Sequence, residues 1–137
     1  NRRNILDVKI NSKDGVMAGG EVILSDAQLE EIVIEFLTNP TDSEKLPSKK
    51  VEDIEGFGEY PVSEGIISLQ NDRSSSYKKY VEIQNVLVKA LNTIRDQFAR
   101  SNFGKVYNEL DADQQEIVRK AIPNRISESE PKDVSKK

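Results

Sequence analysis

Apolar and polar residues alternate at the start of the chain. Leu6, Val8 and Ile10 are apolar; Asp7, Lys9 and Asn11 are polar. A period of two marks a half-buried strand. Ser12 to Gly15 reads as a turn, because Asp14-Gly15 favours the positive φ values of a hairpin connection. Val16 to Leu24 resumes the strand, and Gly19-Gly20 interrupts it with a bulge or a second tight turn. The period then changes. Ser25-Asp26-Ala27-Gln28 has the form of a capping box, and Leu29, Ile32, Val33, Phe36 and Leu37 share one helical face until Asn39-Pro40 stops it.

Residues 40–61 carry Pro40, Pro47, Pro61, Gly56, Gly58 and many charges, which predicts a long surface loop with a short helical turn near Val51 to Ile54. Val62 to Leu69 predicts a third strand, nearly continuous in apolar residues at Ile66, Ile67 and Leu69. Serines 74–76 offer a cap to a long amphipathic helix. Its stripe runs through Tyr77, Tyr80, Leu87, Leu91, Ile94 and Phe98, and Gly104 can close it. Asp111 and Gln114 box the start of a last helix, with Ile117, Val118, Ala121 and Ile122 on its apolar side and Pro123 at its end. A single domain over residues 1–124 is therefore expected, with a polar, flexible tail expected over 125–137.

Length and composition agree with one modest core: 137 residues, 36% hydrophobic and 32% charged, with mean hydropathy −0.61. The net charge of −4 argues against duplex nucleic acid as a partner. With neither Cys nor His, thiol redox chemistry, imidazole acid–base catalysis and the usual zinc sites are excluded. No apolar run approaches the ~20 residues that span a bilayer. The first residue is Asn1 rather than Met, so the chain reads as a fragment, and a missing N-terminal anchor is compatible with that reading.

Candidate chemistry is thin. Glu30, Glu31 and Glu35 line one helix, and Asp111, Asp113 and Glu116 another; these read as solvated faces and caps before they read as metal ligands or acid–base pairs. Gly15 to Gly20 lacks the Lys-Ser/Thr of a phosphate loop. The hydroxyls of Ser74 to Tyr77 have no imidazole to activate them. No catalytic residue, metal or cofactor is expected.

The order of these motifs does carry a resemblance. A strand, the Asp14-Gly15 turn and a second strand lead to the helix capped by Ser25 with Leu29. A strand ending at Asp72 follows, then a helix opened by Tyr77 with Val81 four residues on. This order, over residues 4–100, resembles the periplasmic domain of the ExbD/TolR family, small subunits of proton-driven motors in Gram-negative bacteria. The stretches 65–73 and 103–131 are similar to a long-tailed ExbD subtype. The segment 40–61 is longer than the family's loop, and residues 110–122 read as helix where the family returns as strands.

The resemblance implies an α/β (α+β) fold, with a small three- to five-stranded sheet and helices on one face. It also implies a non-enzymatic homodimer on the periplasmic side of the inner membrane, with a single-pass anchor upstream. Its partners would be ExbB-like and TonB-like proteins, in a machine that spends proton-motive force on outer-membrane uptake of nutrients such as iron complexes and cobalamin. Leu6, Val8, Ile10, Val16, Val22 and Leu24 are then the expected dimer or partner strands, since an unpaired edge accepts a further strand. A TolR-like domain that contacts peptidoglycan and an unrelated carboxylate-based metal-binding domain are the alternatives.

Overall fold

A computed structural model describes residues 2–131. The chain forms a five-stranded sheet, a separate two-stranded sheet and three α-helices, an α+β fold. β1 (Ile5–Ile10) sits in the middle of the large sheet. β2 (Val16–Ala18) and β3 (Glu21–Ile23) extend it antiparallel on one side. β6 (Ile66–Asn71) and β7 (Ile126–Glu128) extend it parallel on the other. The order across the sheet is β3-β2-β1-β6-β7. Gly19 and Gly20 take φ of 59° and 83°, so the predicted interruption is a two-residue hairpin turn between β2 and β3.

Side-chain alternation decides what covers the sheet. Leu6, Val8, Ile10, Ile67 and Leu69 point to one face and are buried. α1 (Asp26–Thr38) and α2 (Tyr77–Phe103) cover that face, burying Leu29, Val33, Phe36, Ile83, Leu87 and Ala90 against it. Each fully buried aliphatic side chain stabilises the fold by about 1.5–3 kcal/mol relative to exposure.

The helices start and stop where local chemistry says they should. Ser25 Oγ accepts from Gln28 N at 3.1 Å, and Ser76 Oγ accepts from Lys79 N at 3.0 Å. α3 (Ala112–Ala121) carries the full capping box of Asp111 and Gln114. Gly104, at φ 78°, closes α2.

Three sequence expectations are corrected. Residues 40–61 hold no helical turn. They contain β4 (Lys49–Ile54), and β5 (Gly58–Ser63) pairs with it as a hairpin. Only Ile54 and Val62 of the hairpin are fully buried, so its exposed, charged positions hide the two-residue period. The expected strand from Val62 to Leu69 is two strands, broken at Glu64-Gly65. A Cβ on Gly65 would lie 2.8 Å from Pro47 Cγ and 2.9 Å from Phe36 Cε2, so the chain crosses here only because the side chain is missing. The expected tail holds β7, which runs parallel to β6 with Ile67 opposite Ile126. Residues 132–137 of that tail lie outside the described residues.

The β4–β5 hairpin builds a second core with α3 and the C-terminal part of α2. Ile54, Phe98, Ala99, Leu110, Ile117 and Val118 form it, with Phe57, Tyr60 and Phe103 packed at its margin. The rings of Tyr60 and Phe98 meet edge to face, with centroids 5.1 Å apart.

A buried polar hub fixes the segment between α1 and the hairpin. Asn39, at φ 39°, is 1% exposed. Its Nδ2 donates to Ser43 O (3.0 Å) and Pro47 O (2.9 Å), and its Oδ1 accepts from Ser43 N (2.8 Å). The Arg3 guanidinium reaches the same segment, donating to Leu46 O at 2.8 Å and Ser43 O at 3.0 Å.

Candidate functional site

The expected partner strands do not share one environment. β1 is the central strand, so Leu6, Val8 and Ile10 are core residues rather than an edge; Val16 is buried beside them. This corrects the expectation for those four residues. Parallel pairing with β6, a partner far away in sequence, occupies the side of β1 that looks open when only the first hairpin is considered. Val22 (59% exposed) and Leu24 (86% exposed) lie on and just after β3, at the sheet edge.

That edge is covered in part by a side chain. Gln28, the box residue, does not reach back to the cap's own N–H. Its Oε1 accepts from Leu24 N at 2.7 Å, and its Nε2 donates to Val22 O at 3.1 Å and to Glu21 Oε2 at 3.2 Å. Glu21 and Ile23 pair with β2, so the outward-facing backbone of Val22 and Leu24 is what a new strand would use. The Gln28 carboxamide takes two of those groups. The capping pattern points to Gln28 but gives no sign of this second task.

The face of the large sheet opposite the helices carries Ile5, Met17, Val22 and Ile66, all exposed. Ile5 stands opposite Ile66 and Met17 opposite Val22, with Asp7 and Ser68 in the row between the two apolar pairs.

The motif positions are structural. Asp14, at φ 65°, sits in the β1–β2 connection and reaches the N-terminus of α2: Ser76 N and Ser76 Oγ donate to its two oxygens at 2.8 and 2.7 Å. These bonds, the backbone one foremost, hold the Asp14 carboxyl below its ordinary value. Gly15 donates its N–H to Asn11 Oδ1 at 2.8 Å, closing the same connection. Buried Asp72 accepts from Ser74 N at 2.8 Å and turns the chain from β6 into α2. Tyr77, which its spacing puts on the apolar stripe, is 80% exposed, because it follows the cap directly, ahead of the turns that meet the core; Val81 is half-buried. Tyr80 instead packs against the core, and its hydroxyl donates to Glu128 of β7; burial first, then that bond, pushes its pKa up to about 12.

The carboxylates on α1 and α3 do not converge: among the described residues no group of three could hold a metal ion. Two carboxylates do meet at the start of α1, where burial and then the neighbouring Glu82 raise the pKa of Asp26. No helix among the described residues is long and apolar enough to cross a membrane.

One cleft, of about 290 Å³, opens at the seam between the two cores. Leu91, Ile94 and Phe98 of α2 form one wall, Tyr60 and Pro61 of β5 another, and Ile122 a third. Burial raises the pKa of the Tyr60 hydroxyl. Two cations, Lys49 and Arg125, line the cleft, and no Asp or Glu does. Lys49 Nζ donates to Asn39 O at 3.2 Å and lies 3.8 Å from the exposed Asp42. Arg125 Nε is buried without a hydrogen-bond partner among the described residues. A buried donor left unsatisfied costs about 1–3 kcal/mol, more when it is charged. Arg125 lies in the stretch whose sequence reads as tail, where no spacing or motif marks it as a cleft residue. No family model, no curated protein and no solved structure matches the chain.

Proposed function

We propose that the chain is the periplasmic domain of an ExbD-like subunit in a TonB–ExbB–ExbD motor of the inner membrane. In this reading it works as a homodimer without catalysing a reaction. It receives a strand from a TonB-like partner and passes on work done by ExbB-like and ExbD-like membrane segments under proton-motive force. That work energises nutrient uptake across the outer membrane. The motif order from Asp14-Gly15 to Asp72 and Tyr77 supports the reading.

The observation that carries it is the β3 edge. It is short, exposed at Val22 and Leu24, and closed by Gln28 through two side-chain bonds that an incoming strand can replace one for one. A partner strand would displace the carboxamide, take Leu24 N and Val22 O, and lay its own apolar side chains beside Met17 and Val22.

The test is a ¹⁵N NMR titration with the periplasmic segment of a TonB-like protein. Localised shifts at residues 16–24 and 28 are the expected result. Gln28→Ala should tighten binding about fivefold, the equivalent of about 1 kcal/mol for bonds that no longer need exchanging. Shifts confined to other faces would overturn the edge-strand mechanism. Shifts with peptidoglycan fragments and none with the TonB-like segment would replace the reading by a TolR-like one.

A further inference from the structure

The cleft at the seam is unused by that reading and stands on separate observations. We propose that it binds a small amphiphilic carboxylate, whose acid group pairs with Arg125 and Lys49 and whose apolar body lies along Leu91, Ile94 and Phe98.

The lining sets the ligand's charge. The chain carries 24 acidic against 20 basic residues, yet the cleft holds two cations and no carboxylate. Arg125 is half-buried, with its Nε out of reach of water and its terminal nitrogens left to meet a ligand, and a guanidinium nitrogen so placed usually has a partner. Here the buried Nε has none among the described residues, and no ion pair between described residues includes Arg125. A carboxylate is the planar acceptor that suits a guanidinium, taking two parallel N–H bonds. Lys49 adds a second positive group, held by Asn39 O and only loosely by Asp42.

Other charges adjoin the site. Glu52, Asp53 and Lys120 line a shallower depression that shares Arg125, and neither carboxylate lies within ion-pair distance of it. The ligand's acid group would supply the counter-charge those side chains leave out.

The walls and size set the rest of the ligand. Leu91, Ile94, Phe98 and Ile122 give the cleft an apolar side, and neutral polar groups such as Gln97 and Asn102 share the lining with the two cations. The volume of about 290 Å³ is near the bottom of the ~300–1,000 Å³ typical of small-molecule sites. At ~30 Å³ for each water-sized unit it holds about ten heavy atoms, the size of octanoate.

The experiment is a ¹⁵N NMR titration of the protein with octanoate, with octanol and acetate as separate probes. Octanoate should give saturable shifts at Leu37, Thr38, residues 60–63 and residues 91–102. Octanol, which lacks the charge, and acetate, which lacks the tail, should each bind at least tenfold more weakly. Arg125→Gln should weaken octanoate at least tenfold and leave octanol unchanged, which separates loss of the charge from loss of the cleft. Ser101→Phe, at an exposed position on the cleft rim, should block octanoate without touching either cation. Equal binding of octanol and octanoate, undiminished octanoate binding in Ser101→Phe, or octanoate shifts confined to β3 and the open sheet face would each overturn the proposal. None of these outcomes bears on binding of a TonB-like strand.

Discussion

Replacing Asn39 by Ala tests whether one buried amide organises the connection between α1 and the β4–β5 hairpin. The substitution removes three side-chain hydrogen bonds, to Ser43 N, Ser43 O and Pro47 O. At about 1 kcal/mol each they contribute about 3 kcal/mol. Alanine must also hold a left-handed backbone, φ 39° here, that asparagine tolerates better, which adds roughly 1 kcal/mol. Water can reach part of Ser43, so the expected loss is about 3 kcal/mol rather than the full sum.

Urea unfolding at neutral pH reads this directly as a lower midpoint at unchanged slope. Heating should show a melting temperature lower by roughly 10 °C. Asn39→Gly separates the two contributions, since glycine has no left-handed penalty and yet makes none of the bonds. It should lose about 2 kcal/mol. If Asn39→Gly stays within about 0.5 kcal/mol of the parent chain, the hydrogen-bond hub is energetically idle and the reasoning fails.

In the central core, Leu87 is fully buried, and Leu87→Ala should cost about 3 kcal/mol in urea unfolding; Val88→Ala, one residue along on the exposed face, should change stability by less than about 0.5 kcal/mol. Asp14 and Asp26 should give pH dependences of opposite sign. The folded pKa of Asp14 lies below 3.8, so its contribution is present above that value and is lost as pH falls through the folded pKa; Asp14→Asn should flatten the acid limb of a stability–pH curve. The folded pKa of Asp26 lies above 3.8, so its contribution is present below that value and is lost as pH rises through the folded pKa; Asp26→Asn should unfold at higher urea than the parent at pH 7. Val22→Lys, at an exposed edge position, should leave the urea midpoint nearly unchanged and abolish the NMR shifts caused by a TonB-like segment.

What the sequence discloses here is local. Ser25, Ser76 and Asp111 announce helix starts because a cap acts within three residues of itself, and Asn39-Pro40 and Gly104 announce the stops for the same reason. Leu6, Val8 and Ile10 announce a strand but not its place in the sheet. Their second partner strand begins at Ile66, and only that pairing turns a supposed edge into the centre. The β4–β5 hairpin is hidden because Lys50, Val51, Glu52 and Asp53 face water on a sheet with little to cover. β7 is hidden because its apolar contribution is the single half-buried Ile126, fixed by pairing with Ile67. The cleft gathers residues from Leu37 to Arg125, so no window of sequence contains it.

The same geometry explains why there is a seam at all. A helix of 27 residues at 1.5 Å per residue is about 40 Å long. A six-residue strand reaches only about 20 Å. The sheet can therefore cover about half of α2, and it covers the part from Ile83 to Ile94. The remaining turns, with Phe98 and Ala99, keep an apolar face that would otherwise meet water, and the hairpin and α3 supply the second core that buries it. The two cores lie along one helix and meet at a seam rather than merging, because the hairpin is a sheet of its own. Ile122 packs against both cores and bridges that seam. The cleft is what remains beside Ile122, which forms one of its walls, and it opens where Arg125 follows Ile122 and Pro123 on the way into β7. The segment that completes the large sheet thus also places a cation at the junction of the two cores. A change there should register in both the stability of β7 and the occupancy of the cleft.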